Sequence, residues 1–177
     1  MLKGFKTELR VTKKHILKIH QSIGVCRFLY NAYLAKNKEL YEMYKNDEID
    51  KKQAFMSAND FDKHINNDVK VLDEFKWINE CGSKARKKAI VNAETAYKRF
   101  FKGESNFPCF KKKKNQDVKI YFPKNNETDW VTQRLRIKIP TLGFVELKEK
   151  GYISNQRKGR KWHCLNESRK ILCFSIM

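Results

Sequence analysis

Apolar and polar residues alternate at the start of the chain, from Gly4 to Val11. Phe5, Thr7 and Leu9 fall on one face of this segment, and the charged residues between them fall on the other. A period of two residues is typical of a strand with one buried face. The first element is therefore predicted to be a half-buried β-strand.

After Thr12 the apolar residues recur at steps of three and four, and this spacing continues to about Gly103. The spacing predicts a series of amphipathic helices. Thr12 is expected to cap a long first helix, or two helices in sequence, with a kink at Gly24. Ser83 is expected to cap the last helix, and Gly103 is expected at its C-terminal cap.

Short apolar runs replace the helical pattern in the last third of the chain. Residues 118–122, 135–139 and 144–147 are bounded by Pro, Gly and Asn residues, which indicates β-strands. The terminal run 170–177 is expected to add a further strand or to form an exposed, aggregation-prone edge.

The run 135–139 is predicted to have two chemically different faces. Its inward face is expected to be apolar, with Leu135, Ile137 and Ile139. Its outward face is expected to be basic, with Arg134, Arg136 and Lys138.

The order of strand, helices and strands predicts an α+β chain. The first strand is expected to join the later strands in a small β-barrel, interrupted by the helical segments. The predicted organisation is the first barrel strand at 1–11, a helical insertion at 12–103, the remaining barrel strands at 104–153 and a divergent basic tail at 154–177.

Positive charge is concentrated in one part of the chain. The formal net charge is +19, and residues 84–114 contain eleven Lys or Arg against two Glu, with Phe and Tyr residues between them. Clustered cations with interleaved aromatic rings suit a polyanion whose phosphates meet the cations and whose bases stack. The alternative is a solubilising helix face followed by a basic loop, which is less favoured because ordinary surfaces mix both signs of charge.

Other features narrow the class of protein. No apolar run approaches the length of a membrane span and no signal peptide is visible, so a cytoplasmic protein is expected, with association with the nucleoid as an open alternative. The five Cys are scattered and are expected to be reduced thiols. No zinc-ligand spacing, nucleophile elbow or Gly-rich phosphate loop occurs, so we expect no metal, no cofactor and no catalysis.

Three segments resemble the N-terminal part of TnpB-type (OrfB) proteins of bacterial insertion sequences. They are VCRFLYNAYLAKNKELYE (25–42), AETAYKRFFKGESNFPCFKKKK (93–114) and RIKIPTLGFVELKEKGYI (136–153). The resemblance covers about residues 3–153. It implies an RNA-guided DNA endonuclease family, in which this region forms a wedge β-barrel interrupted by a helical recognition domain, with a helix-turn-helix in its first helical part.

The resemblance also implies partners and contact residues. In that family these domains bind a structured guide RNA and recognise a short double-stranded DNA motif beside the target. The DNA contacts correspond to Ser83 and Lys87, to the segment 57–59, and to the strand end 122–124. Ala58 and Pro123 depart from the family pattern, so a different motif, or none, is expected to be recognised.

Charge and resemblance together give the residues expected to bind nucleic acid. They are Ser57, Asn59, Ser83, Lys84, Lys87, Lys88, Lys98, Arg99, Lys102, Lys111, Lys112, Lys113, Lys114, Lys124, Arg134, Arg136 and Lys138.

The family's nuclease domain is not recognisable in this sequence. Residues 154–177 contain a single acid, Glu167, whereas a two-metal cleavage site needs several convergent carboxylates. A non-catalytic nucleic-acid-binding chain is therefore expected. The alternatives are a nuclease-dead regulator that competes with a related RNA-guided nuclease, and an inert remnant of a mobile element.

Overall fold

The computed structural model describes residues 4–113, 118–123, 131, 133–149, 161–167 and 170–176. The chain divides into two compact units. Unit 1 comprises residues 1–23 and 115–177, and unit 2 comprises residues 24–114.

Six strands and three α-helices follow one another along the described chain. They are β1 (Gly4–Arg10), α1 (Lys13–Lys45), α2 (Ala58–His64), α3 (Ser83–Phe101), β2 (Val118–Pro123), β3 (Arg136–Ile139), β4 (Gly143–Leu147), β5 (Lys161–Glu167) and β6 (Lys170–Ile176). A π-helical turn (Ile65–Val69) and a 3₁₀ helix (Asp73–Glu80) lie between α2 and α3. The prediction of an α+β chain is confirmed.

The strands of unit 1 form an open antiparallel sheet with the order β2-β5-β6-β1-β4-β3. The predicted β-barrel is wrong. Closure would require hydrogen bonds between the two outermost strands, and in the described residues β2 pairs with β5 and β3 pairs with β4. With only four residues, β3 also offers little backbone for a further partner.

Strand β1 holds the sheet together because it pairs with two partners in succession. Its first part, Gly4 to Glu8, pairs with β6, and Leu9 and Arg10 pair with β4. The prediction that the first strand joins the later strands is confirmed. Strand β6 lies between β5 and β1, so the terminal apolar run adds an interior strand.

The described core of unit 1 follows the alternation of its strands. Ile137 and Ile139 of β3 and Val145 of β4 are buried, as expected from the pattern. Leu135 is 48% exposed, so its predicted inward position is wrong. The reason is that β3 begins at Arg136, and the alternation of faces holds only within the strand.

Helix α1 begins after Thr12, whose hydroxyl accepts a hydrogen bond from the His15 N–H at 3.3 Å. The predicted cap is therefore confirmed. The helix continues through Gly24 without an interruption.

Two tyrosines organise the core of unit 2. Tyr33 donates a hydrogen bond to the Met56 carbonyl at 2.8 Å, and Tyr97 donates one to the Leu34 carbonyl at 3.0 Å. The buried Asn37 accepts from the Met56 N–H at 2.8 Å and donates to the Tyr33 carbonyl. These buried polar groups are satisfied, and they fix the loop before α2 against α1.

Candidate nucleic-acid interface

Helix α3 positions most of the predicted site residues. Ala85, Ile90, Ala93 and Tyr97 are buried and attach one side of the helix to unit 2. The N-cap is Gly82 rather than the predicted Ser83, because Gly82 keeps a non-helical ψ of 136° and Ser83 is already helical. Ser83 is therefore the first helical residue, with an exposed side chain.

The C-terminus of α3 is closed as the sequence predicts. Gly103 has a φ of +72°, and its N–H bonds to the Phe100 carbonyl at 2.9 Å. The Glu104 N–H bonds to the Arg99 carbonyl at 2.9 Å. This pair of hydrogen bonds is a Schellman motif, in which glycine avoids the steric cost of a positive φ.

Seven predicted site residues lie on one side of α3. At 3.6 residues per turn they fall within an arc of about 160°, and the stretch they occupy is about 28 Å long. We call this surface the basic face of α3; it comprises Ser83, Lys84, Lys87, Lys88, Lys98, Arg99 and Lys102. Lys88 is half-buried and the other six are exposed.

The carboxylate of Glu94 lies within the arc of the basic face. Glu94 is 2.9 Å from the Lys98 ammonium and accepts a hydrogen bond from the Ala58 N–H at 3.1 Å. Burial opposes ionisation of Glu94, but the bonds from Lys98 and Ala58 outweigh it and lower its pKa. Lys98 is therefore partly neutralised, and the hydrogen bond from the Ala58 N–H to Glu94 helps to hold the start of α2 against α3.

The N-terminus of α3 favours an anion. Its first turn contains no acidic residue, and Gly82 provides no side-chain cap for the free N–H groups. Helix N-termini carry partial positive charge and bind phosphates through such N–H groups. Arg86, which is only 7% exposed, adds a buried cation whose Nε and Nη1 have no hydrogen-bond partner in the described part of the chain.

The predicted contacts on α2 differ from those on α3. The Ser57 hydroxyl donates to the Asp60 carboxylate at 2.7 Å and accepts from the Asp60 N–H at 3.2 Å, which caps α2. The hydrogen bond from Ser57 lowers the pKa of Asp60. Asn59 is exposed. Because Asp60 brings negative charge to the first turn of α2, this turn is less suited to bind a phosphate than the basic face of α3 is.

The lysines after α3 have different environments. Lys111 is half-buried, its ammonium lies 4.1 Å from the centre of the Tyr30 ring, and burial lowers its pKa. The Asn31 side chain fixes the Lys111 backbone by two hydrogen bonds. It donates to the Lys111 carbonyl at 3.0 Å and accepts from the Lys111 N–H at 2.8 Å. Lys112 and Lys113 are exposed, and Lys114 lies outside the described residues.

The remaining predicted residues belong to unit 1. Arg134 and Arg136 are exposed and Lys138 is half-buried. Arg136 lies 4.4 Å from the Phe144 ring centre, donates a hydrogen bond from its Nε to the Gln133 side chain, and lies opposite Glu146 in the strand register. These three residues lie on a unit separate from α3. Lys124 lies outside the described residues.

Two further observations concern the described residues only. No three His, Cys, Asp or Glu side chains among them are grouped so as to hold a metal ion. None of the described helices combines the length and apolarity needed to cross a bilayer.

A helix face of clustered cations is typical of nucleic-acid-binding proteins, and the comparisons with known proteins agree with that class. A model of the helix-turn-helix domain of OrfB proteins of the IS605 type matches residues 1–46. Within this range the described residues form β1 and α1.

The chain is also 26% identical over 147 residues to the protein named "Putative RNA-guided DNA endonuclease InsQ" of Escherichia coli (strain K12). The match covers 83% of this chain and 34% of InsQ, so the chain spans about a third of its relative. Together the two findings confirm the resemblance: the chain is TnpB-like, similar to the N-terminal region of such proteins.

Proposed function

We propose that this chain binds structured RNA through the basic face of α3 and the exposed Lys112 and Lys113. The observation that carries the proposal is the grouping of six cationic side chains on one side of a single helix. A nucleic-acid strand carries one phosphate per about 3.4 Å of axis, so a face about 28 Å long can meet several phosphates at once. Structured RNA is bound mainly through its shape and backbone, for which such a face is suited.

A second contact is proposed with double-stranded DNA. Ser83 and Lys87 lie one turn apart at the start of α3, and both side chains are exposed. A lysine on a helix that enters the major groove can donate to the acceptors of guanine. The name of the relative, "Putative RNA-guided DNA endonuclease InsQ", supports the same pair of ligands, RNA and DNA.

The proposed role is binding without cleavage. The supporting observation is the sequence itself, in which residues 154–177 supply one acid, Glu167. Two-metal phosphodiester cleavage needs several convergent carboxylates. We therefore expect the purified chain to cleave neither RNA nor DNA with Mg²⁺ or Mn²⁺ and any guide RNA. Metal-dependent cleavage that is lost on substituting one acidic residue of this chain would overturn that expectation.

Competition with a longer relative is the second candidate function. Similarity across 83% of the chain to a protein more than twice its length favours it, because both proteins would then present the same binding surface. A chain of this kind would occupy the RNA or the DNA motif without cutting.

The proposal is tested by neutralising the basic face. In the test variant Lys87, Arg99 and Lys102 are each replaced by Gln. In the control variant Lys38, Lys51 and Lys52, which are exposed elsewhere on unit 2, are replaced by Gln, so the net charge changes equally. We expect the test variant to bind a structured RNA at least about tenfold more weakly and with a flatter salt dependence, because phosphate contacts are lost. Equal losses in the two variants would show that only net charge matters and would contradict the proposed interface.

A further inference from the structure

A groove in unit 2 lies outside all the predicted site residues. Its volume is about 610 Å³, within the range of small-molecule sites. It is formed by α1, the 3₁₀ helix and the segment after α3, and its lining includes Arg27, Phe28, Asn31, Trp77 and Phe110. Trp77 and Phe110 are 41% and 48% exposed, which is unusual for large aromatic rings that serve only as core.

Neighbouring residues of unit 2 hold the two exposed rings in place. The ring of Phe28 meets that of Trp77 edge-on, with the centres 5.0 Å apart and an angle of 69°. The segment that carries Phe110 is fixed by the two hydrogen bonds between Asn31 and the Lys111 backbone. Both rings are therefore preorganised, which lowers the entropic cost of binding a ligand between or upon them.

The remaining lining of the groove has two properties that suit a nucleotide. Gly24, Ala32 and Ala35 are small and leave room beside the rings. Among the described residues, Arg27 is the charged residue of the lining, and no described carboxylate contributes to it. An apolar protein segment would not require this cation, whereas a nucleotide brings a phosphate to meet it.

We propose that this groove binds an unpaired nucleobase of single-stranded nucleic acid, with Trp77 and Phe110 as stacking surfaces and Arg27 for an adjacent phosphate. Aromatic side chains stack with bases of any identity, so the site would accept an unpaired base without strong sequence preference. This inference rests on the proposed RNA-binding function and adds a second, differently composed contact surface to the basic face of α3.

The test separates stacking from phosphate binding. The probes are an oligouridine roughly 12 nucleotides long, within the span of single-strand sites, and an oligomer of the same backbone without bases. We expect Trp77→Ala to weaken binding of oligouridine by about tenfold, to leave binding of the abasic oligomer unchanged, and to leave the salt dependence unchanged. Trp77→Phe should retain most of the affinity because it keeps an aromatic face.

Further variants test whether weaker binding arises from the lost ring or from a loss of folding. Phe110→Ala, which removes the other exposed ring of the lining, should show the same selective loss. Phe101→Ala removes another exposed ring outside the groove and should have no such effect. Each variant is compared with the parent chain by its melting temperature.

The outcomes distinguish the two proposals. If Trp77→Ala and Phe110→Ala bind oligouridine as the parent does, or weaken both probes alike, the groove is not a base site and the basic face stands unaffected. If the parent binds structured RNA but not oligouridine, the inference about the groove is wrong, and the proposed RNA-binding function is unaffected. If the parent binds no RNA of either kind, the proposed function fails with it.

Discussion

Ser83 and Lys87 lie one turn apart on the first part of α3, and neither is used in the core of unit 2. The structure gives Ser83 an exposed side chain because the capping position belongs to Gly82. Lys87 lies in the turn that follows, about 6 Å further along the helix axis. Both side chains are thus free to contact a ligand at this end of the basic face of α3.

Lys87→Ala should relax sequence preference for short DNA duplexes. If Lys87 contacts a base edge in the major groove, its loss should cost about 1–3 kcal/mol of discrimination at one base pair. Lys102→Ala is the matched control at the other end of the same face, and it should weaken binding to all sequences alike. The measurement is selection from a duplex pool with randomised positions.

An unaltered preference in the Lys87→Ala protein would contradict the base contact. Lys87 would then be a solvated helix residue, and the chain would bind RNA without recognising a DNA motif.

At the scale of the elements, the two ends of α3 differ in how they are capped. The N-terminus is left without a side-chain cap, whereas the C-terminus is closed by Gly103 in a left-handed conformation. The free N–H groups at the N-terminus can bind an anion, whereas the cap at the C-terminus only stabilises the helix.

Gly103→Ala and Gly24→Ala should have opposite effects on stability. A Cβ at Gly103 meets no atom within 4 Å, so its cost arises from the positive φ and should be about 1 kcal/mol. A Cβ at Gly24 also meets no atom within 4 Å, but Gly24 lies inside a helix, where alanine is favoured over glycine by up to about 1 kcal/mol.

The measurement is the free energy of unfolding in urea, compared among the parent chain and the two variants. A destabilisation by both substitutions, or by neither, would contradict the assignment of Gly103 as the cap and Gly24 as an ordinary helical position.

Local rules predicted the elements well, because they depend on neighbouring residues. The alternation around Leu9 predicted β1, Thr12 predicted the start of α1, and Gly103 predicted the end of α3. The closure of the sheet was not predictable in this way, since it depends on hydrogen bonds between strands that are distant in sequence. The exposure of Leu135 was not predictable either, because this residue lies one position before the start of β3, and the alternation of buried and exposed side chains holds only within the strand.

The candidate site shows a similar division. The density of Lys and Arg in residues 84–114 and the family resemblance gave the residues that the structure places on the basic face of α3, and their role in binding stays a prediction. The groove was not predicted, because Trp77 and Phe110 are far apart along the chain and are brought together by tertiary contacts. The signal that could have indicated it was the presence of large aromatic residues in otherwise polar segments.

At the scale of the whole molecule, the formal net charge of +19 is unevenly distributed between the segments. Residues 45–80 contain nine acids and six lysines, whereas the basic residues are concentrated from residue 84 onward. An uneven distribution directs a polyanion to one surface instead of attracting it everywhere. Within residues 45–80, the ion pairs of Asp60 with Lys63 and of Asp73 with Lys76 join residues three apart and are exposed, so they contribute little to stability.

The salt dependence of RNA binding tests the central claim most directly. Binding of a structured RNA is measured for the parent chain from about 50 to 200 mM salt, and the affinity should fall at least about tenfold, with a linear relation between its logarithm and that of the salt concentration. This is expected because each phosphate bound by the basic face releases condensed cations. Weak binding at the lowest salt concentration, or an affinity that is constant across this range, would contradict the account.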